Sequence, residues 1–347
     1  MLKKNWLLIT LLFITLLLAA CSEGSAGADG KEEADDVIDI VWYPNESGSD
    51  MKSSRDEIGK IIEEKTDKKV EHHLTTDYAI AIETLVNNNA DLAFMGAQGY
   101  VEANQKNDAI QPLAVPTGPS GTLDDAVYHS WLAVNVDDQE NYKEDGEYAF
   151  DTIEDKKMSF VSNSSTSGFK VPSASIIDHF SSKEAYADLA EEDLMEGGEL
   201  FSQVLFGNSH QGSAVNLLSG NADVAAFCDT CVENYVEVAE GEENKQGSVY
   251  KVKEDAAEPF NKVTGSEFTL ISVTPVLNAP FVANKDVIGQ EDFDKLQALF
   301  TSDEVANNEQ IFVPEESGES GLFFKTDKER FSEVEDSWFD PIRELSN

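Results

Sequence analysis

Apolar residues recur along this chain in two rhythms, a period of two over short runs and a period near 3.6 over longer ones, which mark strands and helices respectively. Residues 37–43 form a β-rich run that ends at Pro44, Asn45, Glu46 and Ser47, a strand opening into a turn. Residues 50–64 carry Ile58, Ile61 and Ile62 at helical spacing. A second strand is expected over 70–75, followed by Thr76 and Asp77 as the cap of a helix over 78–86. Residues 90–95 read as a third strand, 96–99 as a turn into a helix near 100–106, and 110–115 as a fourth strand. Strand and helix in regular alternation argue for an open, mostly parallel sheet.

A longer apolar run, 127–136, reads as a strand crossing to a second lobe, and 137–151 as an acidic surface insertion. The second series then has a strand at 158–161, a hydroxyl-rich turn at 164–169, a helix over 167–180 and an acidic helical stretch over 184–194. A strand at 201–206, a polar turn at 207–212, a helix at 213–218 and a strand at 223–227 follow. Cys228 to Cys231 form a turn leading into a helix that runs to about residue 238. Residues 268–276 are the second crossing strand, 279–283 return to the first lobe, and 290–300 and 328–345 are closing helices. The expectation is a two-lobed α/β protein, with 37–128 plus 275–347 in lobe 1 and 129–274 in lobe 2. Turns at 44–47, 75–78, 95–98, 164–167, 207–211 and 227–230 would then face one cleft, where open α/β sheets bind ligands.

The N-terminal pattern changes the address of the protein. Lys3 and Lys4 precede an apolar run over 6–18, too short for a spanning helix, and then Leu18, Ala19, Ala20 and Cys21. Residues 1–20 read as an export leader, and Cys21 resembles the cysteine of a bacterial lipobox, lipidated as the mature N-terminus. Residues 21–36 are a polar tether with little apolar content. The expected location is the extracytoplasmic face of the cell membrane, reached through a lipid anchor.

Composition narrows the partners. Acids outnumber bases 67 to 25, a formal net charge of −42, which makes nucleic acid and anionic membrane surfaces poor partners. The acids are spread along the sequence as a solubilising surface, suited to a saline or alkaline setting. An anionic ligand meets a repulsive field here, so its site needs concentrated donors at short range. Of the three cysteines, Cys228 and Cys231 remain once Cys21 is acylated, and a C-x-x-C pair in an exported protein more often closes a disulfide than binds metal. The five histidines show no metal-ligand spacing, and there is no G-x-S-x-G elbow or Gly-Lys-Ser/Thr phosphate loop. Neither a cofactor nor a metal is expected, and an enzyme is the minority reading.

The turn Ser164-Ser165-Thr166-Ser167-Gly168-Phe169 joins a strand to a helix start, where backbone N–H groups, hydroxyls and the positive helix end meet. It can seat a tetrahedral oxyanion, or be an ordinary N-cap. Further motifs accompany it: Asp77-Tyr78-Ala79-Ile80, Asp91-Leu92-Ala93-Phe94-Met95-Gly96, Ser165-Thr166-Ser167-Gly168-Phe169-Lys170-Val171-Pro172, and His210 before a helix leading to Ala222-Asp223-Val224-Ala225. Together these resemble the phosphonate, phosphite and phosphate substrate-binding proteins of ABC importers, over residues 37–300. The resemblance implies a type II periplasmic-binding-protein fold that closes on its ligand, performs no chemistry, and serves an ABC permease and ATPase. It implies a monomer with Ser165, Thr166 and Ser167 as donors to the ligand oxygens and Tyr78 as a phenol donor from the opposite lobe. Met95, Gly96, His210 and Asp229 complete the expected ligand-facing set.

Departures from the family pattern bear on the ligand. Met95 stands at an aromatic position, Gln211 where a Glu is expected, and Asn278 and Ala279 where an acid is expected. A cationic amine loses its partners there, so the expected ligand is phosphate, phosphite or a simple alkylphosphonate. Glu46 and Asp229 are the candidate acceptors for an O–H on a monoanion. A sensor for a membrane signalling protein, and a binder of another oxyanion such as a sulfonate, are the alternatives.

Overall fold

The structure is a computed structural model that describes residues 36–345. The leader 1–20, Cys21 and the tether as far as residue 35 lie outside the described residues. No helix among the described residues is long and apolar enough to cross a membrane.

The first series comprises β1 (Val37–Trp42), α1 (Lys52–Thr66), β2 (Lys69–Leu74), α2 (Tyr78–Val86), β3 (Leu92–Phe94), α3 (Ala97–Lys106) and β4 (Ile110–Pro116). Period two along β1 sorts its side chains between two cores. Ile38, Ile40 and Trp42 join a cluster with Ile58, Ile61 and Ile62 of α1, while Val41 and Tyr43 join Tyr78, Ala81 and Ile82 of α2. Helices therefore cover both faces of this sheet, and the turns at its strand ends are left free to line a cleft.

The chain continues through β5 (Val127–Asn135), a small hairpin of β6 (Lys143–Glu144) and β7 (Glu147–Tyr148), β8 (Lys157–Phe160), α4 (Val171–Phe180), β9 (Gln203–Phe206), α5 (His210–Leu218) and β10 (Val224–Cys228). There follow β11 (Val236–Glu240), β12 (Val249–Val252), β13 (Glu267–Leu277), β14 (Phe281–Asn284) and α6 (Lys285–Phe300), the last broken at Gly289. A short α7 (Asp303–Ala306), β15 (Phe312–Pro314), β16 (Phe323–Lys325), β17 (Phe331–Ser332) and α8 (Asp340–Glu344) complete it.

One sheet has the order β17-β4-β14-β3-β1-β2 and the other β11-β12-β13-β5-β10-β8-β9. The two-lobed α/β architecture is the expected one, and the parallel character needs one refinement. β1 to β4 share a direction, but β14 lies antiparallel between β3 and β4. Likewise β8, β9 and β10 are parallel neighbours, while β5, β13, β12 and β11 add antiparallel ladders. In the second sheet β5 and β12 run against β8, β9 and β10, whereas β13 and β11 run with them. β5 and β13 pair from Val127 opposite Leu277 to Asn135 opposite Phe268. At the lobe 1 end Asn278 ties the crossing down, its N–H donating to Ala126 O at 3.1 Å and its Nδ2 to Pro116 O at 2.7 Å.

Four expected helices differ. After Cys231 the chain forms the edge strand β11, because Val236 and Val238 alternate with Glu237, a period of two. Residues 184–194 hold only the short 3-10 turns Glu184–Tyr186 and Glu191–Leu194, consistent with adjacent acids that have no cation one turn away. Residues 328–345 give β17, a 3-10 turn and only five residues of α8, since Phe331 and Ser332 pair with β4. In the fourth case α5 begins at His210 and not Ser213, with Ser209 Oγ accepting from Gly212 N at 2.9 Å.

Candidate functional site

The hydroxyl turn is not an ordinary helix start. Residues Thr166–Lys170 form one wide π turn before α4, with Lys170 N–H donating to Ser165 O at 2.9 Å. Pro172 explains this locally: it has no N–H for the Gly168 carbonyl, which accepts instead from Val161 N at 3.1 Å. The wide turn leaves the Ser167 carbonyl to accept from Ser130 Oγ at 2.6 Å. A Cβ on Gly168 would lie 2.2 Å from Val161 Cγ2, so only glycine lets the turn sit this close to β8. Single π turns of this kind are frequent at functional sites.

Other elements close in on the turn. Gln98 N–H, in the first turn of α3, donates to Thr166 Oγ1 at 2.9 Å, and Gly96 has no side chain to block the approach. Asn45, after β1, donates from Nδ2 to Tyr78 Oη at 2.6 Å and accepts at Oδ1 from His210 N–H at 3.1 Å. Gln211 Nε2 donates to Asn45 O at 3.1 Å and to Cys231 O at 3.0 Å. The turn after β1 is thus fastened to the N-terminus of α5 on the other lobe.

These bonds fix what each donor presents. His210 Nδ1 accepts from Cys228 N–H at 3.0 Å, so in the neutral ring the proton sits on Nε2, 3.4 Å from Ser165 Oγ. Burial pushes the imidazole down to about 3, and the ring stays neutral. Burial raises the phenols of Tyr78 and Tyr128 well above their usual value, so both keep their protons. Ser167 Oγ is buried without a partner.

Most of these donors border a cavity of about 280 Å³. Tyr78, Gly96, Ser165, Thr166, Ser167 and His210 line it, and Tyr128 and Asn45 join them. No lysine or arginine is among the described residues lining it. Neutral O–H and N–H donors converging on one cavity can coordinate the oxygens of an anion without a formal counter-charge.

Residues 40–339 match the family described as ABC transporter, phosphonate, periplasmic substrate-binding protein. The chain belongs to that family. Among curated proteins it is similar to the phosphate-import protein PhnD of Mycolicibacterium smegmatis, 29% identical over 297 residues, which is 84% of this chain and 79% of the relative. Among solved structures it is similar to PhnD1 of Prochlorococcus marinus in complex with methylphosphonate, with a TM-score of 0.62 and 16% identity, covering 90% of this chain and 97% of the other. A binding protein component of an ABC phosphonate transporter from Pseudomonas aeruginosa has the same TM-score at 19% identity, covering 89% and 85%. At these identities the two structures speak for the fold. The phosphonate-binding family is one of substrate-binding transport proteins that work outside the cytoplasm with an ABC permease and ATPase.

Within this family member two expected ligand-facing residues stand apart. Met95 is buried in the core cluster that holds Tyr43 and Tyr78, and its neighbour Phe94 borders the cavity. Phe94 and the following Met95 point to opposite faces of the sheet and into different cores, which displaces the expectation by one residue. Asp229 is occupied by lobe 2 itself, accepting from His129 N at 2.9 Å, Thr230 N at 2.8 Å and pairing with His129 Nδ1 at 2.8 Å. It borders a second cavity of about 420 Å³ and not the first. The structure joins Cys228 to Cys231 across the turn beside His210.

The cavity also has an outer wall absent from the sequence reading. Phe312 and Phe323 contribute apolar surface, and Glu233, Glu243 and Glu315 border both cavities. Burial and the neighbouring charges of Asp229, Glu315 and Glu243 push the Glu233 carboxyl up to about 8. Gln211 and Asn278 supply no acid to a cationic ligand group, but Glu233, Glu243 and Glu315 bring acidic side chains to the cavity from other positions. Tyr128 had a signal in sequence: Tyr128 and Ser130 are two apart on one strand, so they face the same side.

Proposed function

We propose that this chain captures a small phosphorus oxyanion, phosphate, phosphite or a simple alkylphosphonate, and delivers it to an importer. Ser165, Thr166, Ser167, Tyr78 and His210 donate to the oxygens, and residues 37–128 with 275–347 close against 129–274 about the β5–β13 crossing. The protein acts as a monomer at the extracytoplasmic face, held to the membrane by a lipid on Cys21 after removal of 1–20. The observation that carries this reading is the convergence of neutral donors from both lobes on one cavity. The Mycolicibacterium relative, named for phosphate import, supports an inorganic ligand, and the methylphosphonate-bound structure supports an alkyl one.

Calorimetry with phosphate, phosphite, methylphosphonate, sulfate and taurine tests the ligand class. For the site, Thr166→Ala combined with Ser167→Ala removes two bonds to a charged ligand, worth roughly 1.5–3 kcal/mol each, so affinity should fall more than about a hundredfold. Unchanged affinity in that double variant sinks the assignment.

A second reading concerns the substituent on phosphorus. Glu233, Glu243 and Glu315 on the outer wall favour a ligand whose far end carries a cationic amine, a charge that would draw the proton off Glu233. Aminoethylphosphonate binding no more tightly than methylphosphonate would remove it.

A further inference from the structure

One carboxyl lies at the anion end of the cavity, where a negative charge works against capture. Glu46 closes the 3-10 turn Pro44–Glu46 after β1 and lines the same cavity as Ser165, Thr166 and Ser167. Its Oε2 is buried and has no hydrogen-bond partner. Arg55 of α1 is the nearby cation, but its Nη1 donates to the backbone carbonyls of Glu46 and Gly48. The other titratable groups around Glu46 are Tyr43 at the end of β1, Tyr78 of α2, Tyr128 of β5, Tyr235 with its partner Asp50, and His210 of α5. The tyrosines are neutral phenols, His210 is a neutral ring and Asp50 is an acid, so Arg55 alone offers an opposing charge.

The carboxyl answers this surrounding by holding a proton. Burial pushes it up to about 8, against smaller opposing effects from its own amide, Asn45 and Arg55. A protonated carboxyl has an O–H to donate, and Oε2 has no acceptor in the protein.

We propose that Glu46 is a ligand-binding residue and that the complex holds one proton between its carboxyl and the bound oxyanion. The inference rests on the oxyanion reading above and adds a specificity device to it. Two negative groups share one hydrogen bond and carry one charge fewer, in a cavity whose described lining has no cationic side chain. Below about pH 8 the free protein already holds this proton; above it, capture takes one up from solvent. Binding is thereby tuned to ambient proton activity, which matters for a protein exposed to the medium.

The test compares wild type with Glu46→Gln, whose amide donates a hydrogen bond but does not titrate. Methylphosphonate affinity is measured by calorimetry at about pH 6.5, 8 and 9.5. The ligand's own ionisation is common to both proteins, so the ratio of affinities isolates Glu46. The expected ratio of wild type to variant is flat on the acid side and falls about tenfold per pH unit above about 8. A ratio constant across the range overturns the proposal. Should the variant fail to fold, wild-type binding at about pH 9.5 in buffers of different ionisation enthalpy gives the proton uptake directly; about one proton supports the assignment and none refutes it. If wild type binds neither methylphosphonate, phosphite nor phosphate, the oxyanion reading itself fails and takes this inference with it.

Discussion

The two ends of the cavity are built by different means. At the inner end the groups are short hydroxyls, backbone N–H groups and a neutral imidazole, several of them held by a bond to a neighbouring element: Thr166 by Gln98, His210 by Cys228, Asn45 by both Tyr78 and His210. At the outer end are Phe312, Phe323, Glu233 and Glu315, with Glu315 exposed. A fixed inner end suits an invariant group such as a phosphorus oxyanion, whose oxygens occupy one geometry. A looser, mixed outer end suits whatever that group carries. Recognition of the anion and choice among its derivatives are thus separable in this protein, and substitutions should separate them.

The strongest blow falls on the inner end at Gly168. An added methyl would lie 2.2 Å from Val161 Cγ2 and 2.5 Å from Val161 Cβ, both on a core side chain with no room to yield. Gly168→Ala should cost about 1–3 kcal/mol of stability and displace Ser167 and Thr166, reducing affinity for every phosphorus oxyanion together. Thermal melts with calorimetry on three ligands would show it; a variant that melts as wild type and binds normally would mean the turn is not close-packed. Next in size comes the outer end. Glu233→Gln with Glu315→Gln should weaken an aminoalkylphosphonate by roughly tenfold or more while changing methylphosphonate far less. Equal effects on both ligands would dissolve the distinction between the two ends.

This division also decides how much was legible in the sequence. The inner end is compact along the chain: Ser165, Thr166, Ser167 and Gly168 are consecutive, and Pro172 lies within one turn. Local chemistry dictates such features, so the hydroxyl turn and its neighbours Tyr78, Gly96 and His210 could be picked out, as could the alternation that builds the lobes. The π turn could not, because it depends on Val161 and Ser130 arriving from other strands to take the carbonyls that Pro172 and the wide turn release. The outer wall was less legible still. Phe312 and Phe323 come from a segment without a clear period that folds back as the β15–β16 pair, and Glu233 lies where a helix was expected. Asp229 shows the converse hazard: a carboxylate next to a cleft-facing turn looked available, yet His129 on the crossing strand takes it.

A milder perturbation probes how the inner end is set. Pro172→Ala restores an N–H that can compete for the Gly168 carbonyl and so narrow the π turn into regular helix. Stability should change by less than about 1 kcal/mol, since alanine also favours the helix. Affinity should drop a few-fold as Ser167 rotates away from the cavity. Unaltered affinity would show that the turn keeps its width without the proline.

The smallest expected effect is the pH dependence of the unliganded fold, and it too distinguishes the two ends, since each contains a carboxyl raised to about 8. Glu46 at the inner end and Glu233 at the outer are both pushed up to about 8 in the fold, whereas a free glutamate releases its proton near 4.5. Between these values the folded state binds more protons than the unfolded one, so stability falls as pH rises through the window and levels off above it. Carboxyls that hydrogen bonds and cations hold below the usual range, Asp125 through Ser120 and Asp151 through Lys183 and His179, act the other way. Their contribution is complete above their unfolded value near 3.8 and is lost only on stronger acidification. Stability should therefore peak at about pH 4, decline as pH rises toward about 8, and level off above it. Melts across that range should show the decline reduced in Glu46→Gln and in Glu233→Gln, and least in the double variant. If the double variant declines as steeply as wild type, the cause is general repulsion among the acids of a chain with a net charge of −42, and neither end of the cavity governs it.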